Sequence, residues 1–229
     1  MILKSSSQIE NEFIKSYFGS WIEQIDLILE EMKEVLKSDK KSKWEKELSE
    51  KFPGWTWAGS GAFRWVLSPS DPYVIKFAQS GSNHNDGIKL NKMESERQLE
   101  FEGLFPKVYF HHPNWEWIAV EKVRPAMPDD LQSFFKISRD GAYNFSHLLS
   151  YHVAIISGNK RKTERKQREG LISNSGFKED YEKLLTNITF RRMANVARKL
   201  NLWEFDLSWG NLGINEKGKL VILDSSLPI

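Results

Sequence analysis

The spacing of apolar residues changes character twice along this chain, and that switch restricts it to a mixed architecture. From Ser7 to about Lys51, Ile9, Phe13, Tyr17, Trp21, Ile25, Ile28, Met32 and Leu36 recur at helical intervals. Ser7 with Glu10, Ser20 with Glu23 and Ser42 with Glu45 have the spacing of capping boxes. Two or three short helices are expected there, with a break near Gly19 and a charged connector from Lys37 to Lys43. From Trp55 to roughly Arg124 the pattern is one of short β-rich runs between Gly, Pro, Asn and Asp. Phe63–Leu67, Tyr73–Phe77, Lys107–Phe110 and Trp117–Glu121 predict strands of an antiparallel sheet, and 90–104 predicts one helix set into it. From about Leu131 helical spacing returns over 145–156 and 178–200, where Ile188, Met193, Val196, Ala197 and Leu200 form a stripe expected to be buried. The expectation is an α+β protein in three parts: a helical extension over 1–51, a sheet part over 52–124 and a smaller helical part over 125–229.

Composition narrows the function classes. With 33 basic and 31 acidic side chains the net charge is +2, so no global field draws the protein toward nucleic acid or a membrane. The absence of cysteine excludes disulfides, thiol catalysis and thiolate-bound zinc, and suits a reducing cytoplasm. No apolar run approaches the roughly 20 residues that span a bilayer, and the first residues contain no signal-like apolar segment. A soluble cytoplasmic protein without a membrane partner is expected. A basic run lies between Gly158 and Gly170, with Lys160, Arg161, Lys162, Arg165, Lys166 and Arg168. It reads either as a solvated loop or as a contact for an anionic partner, and no aromatic residue interleaves with it to stack on single-stranded bases.

Four places carry residues with chemical meaning, and their order along the chain matters. Gly59-Ser60-Gly61 between two strands lets a hairpin approach phosphates closely, because a Cβ would obstruct that approach; the same tripeptide is also an ordinary turn. Lys76, after Val74-Ile75 on the next strand, stands where a cation would meet phosphates held under that turn. The helix after it bears Glu94, Glu96, Glu100 and Glu102. Glu96 is the expected partner of Lys76, since Leu99 and Leu104 are read as the buried face beside it, and Glu94 is the second choice. Last come Asp206 and Asn211 on a Trp/Gly-rich loop, then a turn at Asn215–Gly218, a short apolar strand and Asp224.

Together these residues resemble the protein-kinase-like superfamily over about 54–226. Gly59 to Phe63 with Val66 is similar to the glycine-rich loop, Val74-Ile75-Lys76 to the lysine strand and Val120–Val123 to the hinge. Asp206–Asn211 is similar to the catalytic loop and Asp224 to the metal-binding acid that follows it. Within that superfamily Glu204-Phe-Asp-Leu-Ser-Trp-Gly-Asn211, the closing Asp224-Ser-Ser226 and the helical extension most resemble the early-gene serine/threonine kinases of short-tailed bacteriophages, which modify host proteins. The resemblance implies a two-lobed fold with an antiparallel-sheet N-lobe, a reduced helical C-lobe and an N-terminal helical extension. It implies ATP and Mg2+ as cofactors and a protein, of the bacterial host, as substrate. Asp206 would orient and deprotonate the hydroxyl, Asn211 and Asp224 would hold magnesium, and Lys76 braced by Glu96 would position the phosphates. The purine is expected between Val66 and Val74 above and Leu212 below, bonded to the backbone from Glu121 to Val123.

The departures from the family pattern also carry expectations. Arg64 replaces the third loop glycine and could reach a phosphate. Glu204-Phe205 replace His-Arg before the catalytic acid, Ser208 replaces the usual lysine, and Ser225-Ser226 replace Phe-Gly. Phosphotransferases of small molecules, of aminoglycoside or choline type, share the acid-to-amide loop and lack the same lysine, so they stand as an alternative. An inert kinase-fold protein that docks on a host partner is another.

Overall fold

A computed structural model describes residues 22–31, 50–70, 73–158, 166, 169–170, 172–173, 175–202 and 209–223. Helix α1 covers 22–31. It is followed by β1 (Thr56–Ser60), β2 (Arg64–Ser70), β3 (Tyr73–Ala78), α2 (His84–Glu100), β4 (Val108–His111) and β5 (Trp117–Glu121). The strands form one antiparallel sheet in the order β1-β2-β3-β5-β4. The protein is therefore mixed α+β, with its sheet where the short β-rich runs fall. β1 adds a strand beyond the four expected; Thr56-Trp-Ala-Gly-Ser60 has little β-branched character and is held through its backbone pairing with β2.

Alternation along the strands divides the sheet into two chemically different faces. Trp65 and Leu67 of β2, Tyr73, Ile75 and Phe77 of β3, and Trp117 and Ala119 of β5 belong to one apolar core. Ile25, Ile28 and Leu29 of α1 close that core, the first two with no exposed surface. Trp117 Nε1 donates to Asp26 Oδ1 at 2.9 Å, which fixes the helix along the sheet. The helical period around Ile25 and Ile28 thus marks a packing face, and this part of the expected extension completes the core of the sheet. The intervening residues, Val66, Val74, Lys76 and Val120, line a cavity instead.

The helix predicted over 90–104 begins and ends earlier. Its start, His84-Asn-Asp-Gly87, has no apolar residue to register in a periodicity, and Phe101 leaves helical geometry at φ −124°, ψ 51°. Leu104 and Phe105 lie beyond the helix and enter a second core.

The exposed strand β6 (Arg124–Pro125) leads into that second core, which belongs to α3 (Pro128–Phe135), α4 (Arg139–Tyr143), α5 (Phe145–Ile156), α6 (Ser175–Thr186), α7 (Ile188–Lys199), β7 (Leu212–Ile214) and β8 (Leu220–Ile222). β6, β7 and β8 make a small antiparallel sheet. Phe135 stacks on Phe145 with centroids 5.0 Å apart, and Phe190 meets Phe145 edge-on at 5.9 Å. The single helical stretch expected over 178–200 is two helices, because Asn187 turns extended and its Oδ1 accepts from Thr189 N and Phe190 N as the cap of α7. Ile188 consequently sits at the first turn and is exposed, whereas Met193, Val196 and Ala197 of the same stripe are buried. Ile222 N donates to Leu104 O at 2.8 Å, joining β8 to the chain that leaves α2. Among the described residues no helix is long and apolar enough to cross a membrane.

Candidate functional site

The turn between β1 and β2 is held from behind. Gly61 N donates to Arg64 O at 2.9 Å, closing the hairpin. Gln79 Nε2 donates to Gly61 O at 2.7 Å, Gln79 N to Phe63 O at 2.9 Å and Asn83 Nδ2 to Ala62 O at 2.9 Å. The carbonyls of the turn therefore point into the β3–α2 connection, and the N–H groups of Ala62 and Phe63 have no acceptor among the described residues. Backbone N–H groups left over in a tight turn are the groups an anion takes up. Gly87 permits the arrangement: a Cβ there would lie 2.6 Å from Phe63 O and 2.8 Å from Ala78, so only glycine lets α2 pack this close.

Below the turn lies a buried trio of charges. Lys76 Nζ is 2.6 Å from Glu94 Oε1, and Arg64 Nη1 is 2.5 Å from Glu94 Oε2. Burial pushes the Glu94 carboxyl up, but Lys76 and Arg64, through their charge and then their hydrogen bonds, outweigh it and hold the group below the usual carboxylate range. Lys76 Nζ also donates to Leu223 O at 3.3 Å, across 147 positions of sequence. The expected brace Glu96 is not part of this: its side chain is 62% exposed and pairs only loosely with Lys92, at 4.0 Å. The reason is the face of α2. Its buried residues are Gly87, Leu90, Asn91, Glu94 and Arg97, at helical spacing, whereas Leu99, which guided the choice of Glu96, is 75% exposed.

These groups open on a cavity of about 420 Å³ between the sheet and the β6–β8 region. Val66 and Val74 line its upper wall, and Val123 and Leu223 its lower wall. Leu212, expected as the floor, is instead wholly buried in the second core. β7 alternates, so Leu212 faces that core while its neighbour Gly213 turns toward the cavity wall; a Cβ on Gly213 would meet Leu223 Cδ2 at 2.7 Å and Val123 Cγ2 at 3.0 Å. Glu121 also lines the cavity, and its N–H is taken up by Lys107 O at 2.7 Å. Asn211 ends a 3-10 turn at Trp209–Asn211 on the lower wall, and its C=O accepts from Leu223 N at 2.8 Å.

Gly61, Val66, Val74, Lys76, Glu121, Val123 and Asn211, expected as site residues, thus line one cavity. Gly59 is not among the lining residues; it sits at the bulge of β1 with φ +155°, which serves the turn's backbone. Ser60 closes β1 opposite Trp65. Asp206 and Asp224 lie outside the described residues, as does the basic run from Lys160 to Arg168 apart from the exposed Lys166. Leu223, held by both Lys76 and Asn211, is the residue before Asp224. Asn211 and Asp224 are oxygen donors of the kind magnesium takes, so their chemistry fits that ion. Among the described residues there is no group of three or more His, Cys, Asp or Glu able to hold a metal ion. Sequence reasoning missed Leu223 as the floor and Arg64 as a partner of Glu94. The i, i+4 relation of Leu90 to Glu94 was the available signal for the correct acid.

No protein-family model matches the chain, and no curated protein matches it significantly.

Proposed function

We propose that this chain transfers the γ-phosphoryl group of ATP to serine or threonine hydroxyls of a protein, in a two-lobed kinase-like arrangement of the sheet part over the helical part. The observation that carries the reading is the Lys76–Glu94 pair, buried beneath a braced glycine turn and opening on a cavity whose far wall holds Asn211. A lysine in this position is a cation presented to a polyphosphate, and its carboxylate partner keeps it aimed. The N–H groups of Ala62 and Phe63 supply further anion donors, and the Val66, Val74 and Leu223 side chains offer apolar surface to a flat base.

In this reading Asp206 accepts the proton of the substrate hydroxyl as that oxygen bonds to the γ-phosphorus, the bond from that phosphorus to the β–γ bridging oxygen breaks and ADP leaves, while Lys76 steadies the phosphates. Asn211 and Asp224 would hold magnesium, which when bound offsets the charge of the phosphates. The substrate is proposed to be a protein of a bacterial host, with the work done in the bacterial cytoplasm, as the resemblance to phage early kinases implies.

The test is incubation of the purified chain with labelled ATP, magnesium and a bacterial lysate. Labelled protein bands that vanish with Asp206→Ala are expected. Label on small metabolites alone would replace the protein kinase reading with a small-molecule phosphotransferase. A specific nucleotide at 100 times its dissociation constant adds about 2.7 kcal/mol to the folded state. No label and no shift in melting temperature with ATP and magnesium would sink the nucleotide reading in favour of a docking protein.

A further inference from the structure

Arg64 occupies the place where the loop resemblance calls for a third glycine, and its side chain turns inward. It is 6% exposed, and its guanidinium meets Glu94 Oε2 while Lys76 holds Oε1 of the same carboxylate. A lysine on a flexible stem leaves the plane of a carboxylate undetermined. A second cation on the other oxygen fixes that plane, and with it the direction from which Lys76 is held. The same residue's carbonyl closes the turn by accepting from Gly61 N, so the backbone that would face phosphates and the side chain that orients Glu94 belong to one residue. The trio carries two positive charges against one negative, which leaves it cationic toward an incoming anion.

We propose that Arg64 is a positioning residue for the phosphates: it acts through Glu94 to aim Lys76 and to tie the glycine turn to α2, and it is not a direct phosphate ligand. This rests on the nucleotide reading given above. It assigns to the loop position a task in the interior, so that the turn, the lysine strand and the glutamate helix are set as one unit.

The deciding measurement is a double-mutant cycle on the full chain, reading dissociation constants for ATP, ADP and adenosine by calorimetry. Arg64→Met is expected to weaken ATP and ADP by roughly tenfold and to leave adenosine unchanged, a size usual for coupled charged neighbours. Arg64→Lys, which keeps a cation, should recover most of the loss, and in a Glu94→Gln background Arg64→Met should add less than about twofold. Equal losses from Arg64→Met in both backgrounds would show a direct phosphate contact and overturn the proposal. Adenosine weakening in step with ATP, without rescue by Arg64→Lys, would reduce Arg64 to a packing residue and overturn it too. If the parent binds none of the three ligands, the nucleotide reading falls and takes this role with it; if the parent binds and only the cycle is additive, the role of Arg64 fails alone.

Discussion

The two faces of the central strands are built from adjacent residues yet have opposite chemistry. On β3, Tyr73, Ile75 and Phe77 face α1 and are buried in a dry core, whereas Val74 and Lys76 between them face the cavity. One face gains from excluding water and needs only shape and apolar area. The other keeps three charges within a few ångströms of one another and needs each of them to be paired. Substitutions separated by a single residue should therefore separate stability from chemistry.

The largest effect belongs to the charged face. Lys76→Met is expected to lower phosphoryl transfer by about 10²–10³-fold, the usual loss when a group stabilising transition-state charge is removed. Because Met retains much of the stem, the melting temperature should fall far less than activity does. Transfer rates and thermal melts on one preparation would check this, and equal loss of both would erase the distinction between the faces.

The apolar face should show the reverse. Ile28 of α1 has no exposed surface, and Ile28→Ala is expected to cost about 2–5 kcal/mol of stability through lost burial and the cavity left behind. Nucleotide affinity at a temperature where the variant stays folded should be unchanged. Urea denaturation with a parallel binding isotherm measures both. An Ile28→Ala chain as stable as the parent would mean that α1 does not close this core.

A smaller and sharper contrast lies within α2. Glu94→Gln should weaken ATP binding by roughly tenfold, since a buried charge pair loses one member, while Glu96→Gln, at an exposed pair, should change it by less than about twofold. Comparable effects from the two would restore Glu96 as the brace.

That contrast also shows what could be read from the sequence and what could not. The strands over 73–77 and 117–121 are legible because Tyr73-Val-Ile-Lys-Phe77 and Trp117-Ile-Ala-Val-Glu121 are short runs of aromatic and β-branched residues set between turn-forming ones. The meeting of Lys76 with a glutamate of the next helix was legible in kind, through the order of the motifs. Which glutamate was harder to see, because Leu90 is the one apolar side chain among the buried residues of α2, and Gly87, Asn91, Glu94 and Arg97 beside it give no apolar periodicity. Arg64 presented the same difficulty, since a lone arginine in a turn gives no sign that its side chain is buried. Leu212 was misplaced because a three-residue strand has too few positions to display its alternation, and one step of register moves a side chain from floor to core.

The smallest effect is in the acid dependence of stability, and it distinguishes a buried carboxylate from a surface one. Glu94 has its folded-state value held below the ordinary one, so it contributes stability that is present above the unfolded-state value and is lost as pH falls through the folded-state value. Asp130 is shifted in the same sense, to about 2, by the Arg124 side-chain hydrogen bond and then by Met127 N, but Arg124 is more than half exposed and solvent screens the pair. Urea midpoints taken from pH 7 down to pH 3 should therefore fall for the parent and fall less steeply for Glu94→Gln, with Asp130→Asn close to the parent. If Glu94→Gln followed the parent while Asp130→Asn flattened the curve, the surface pair would dominate the acid dependence. The charged face of the sheet would then lose its claim to a carboxylate kept ionised by two cations.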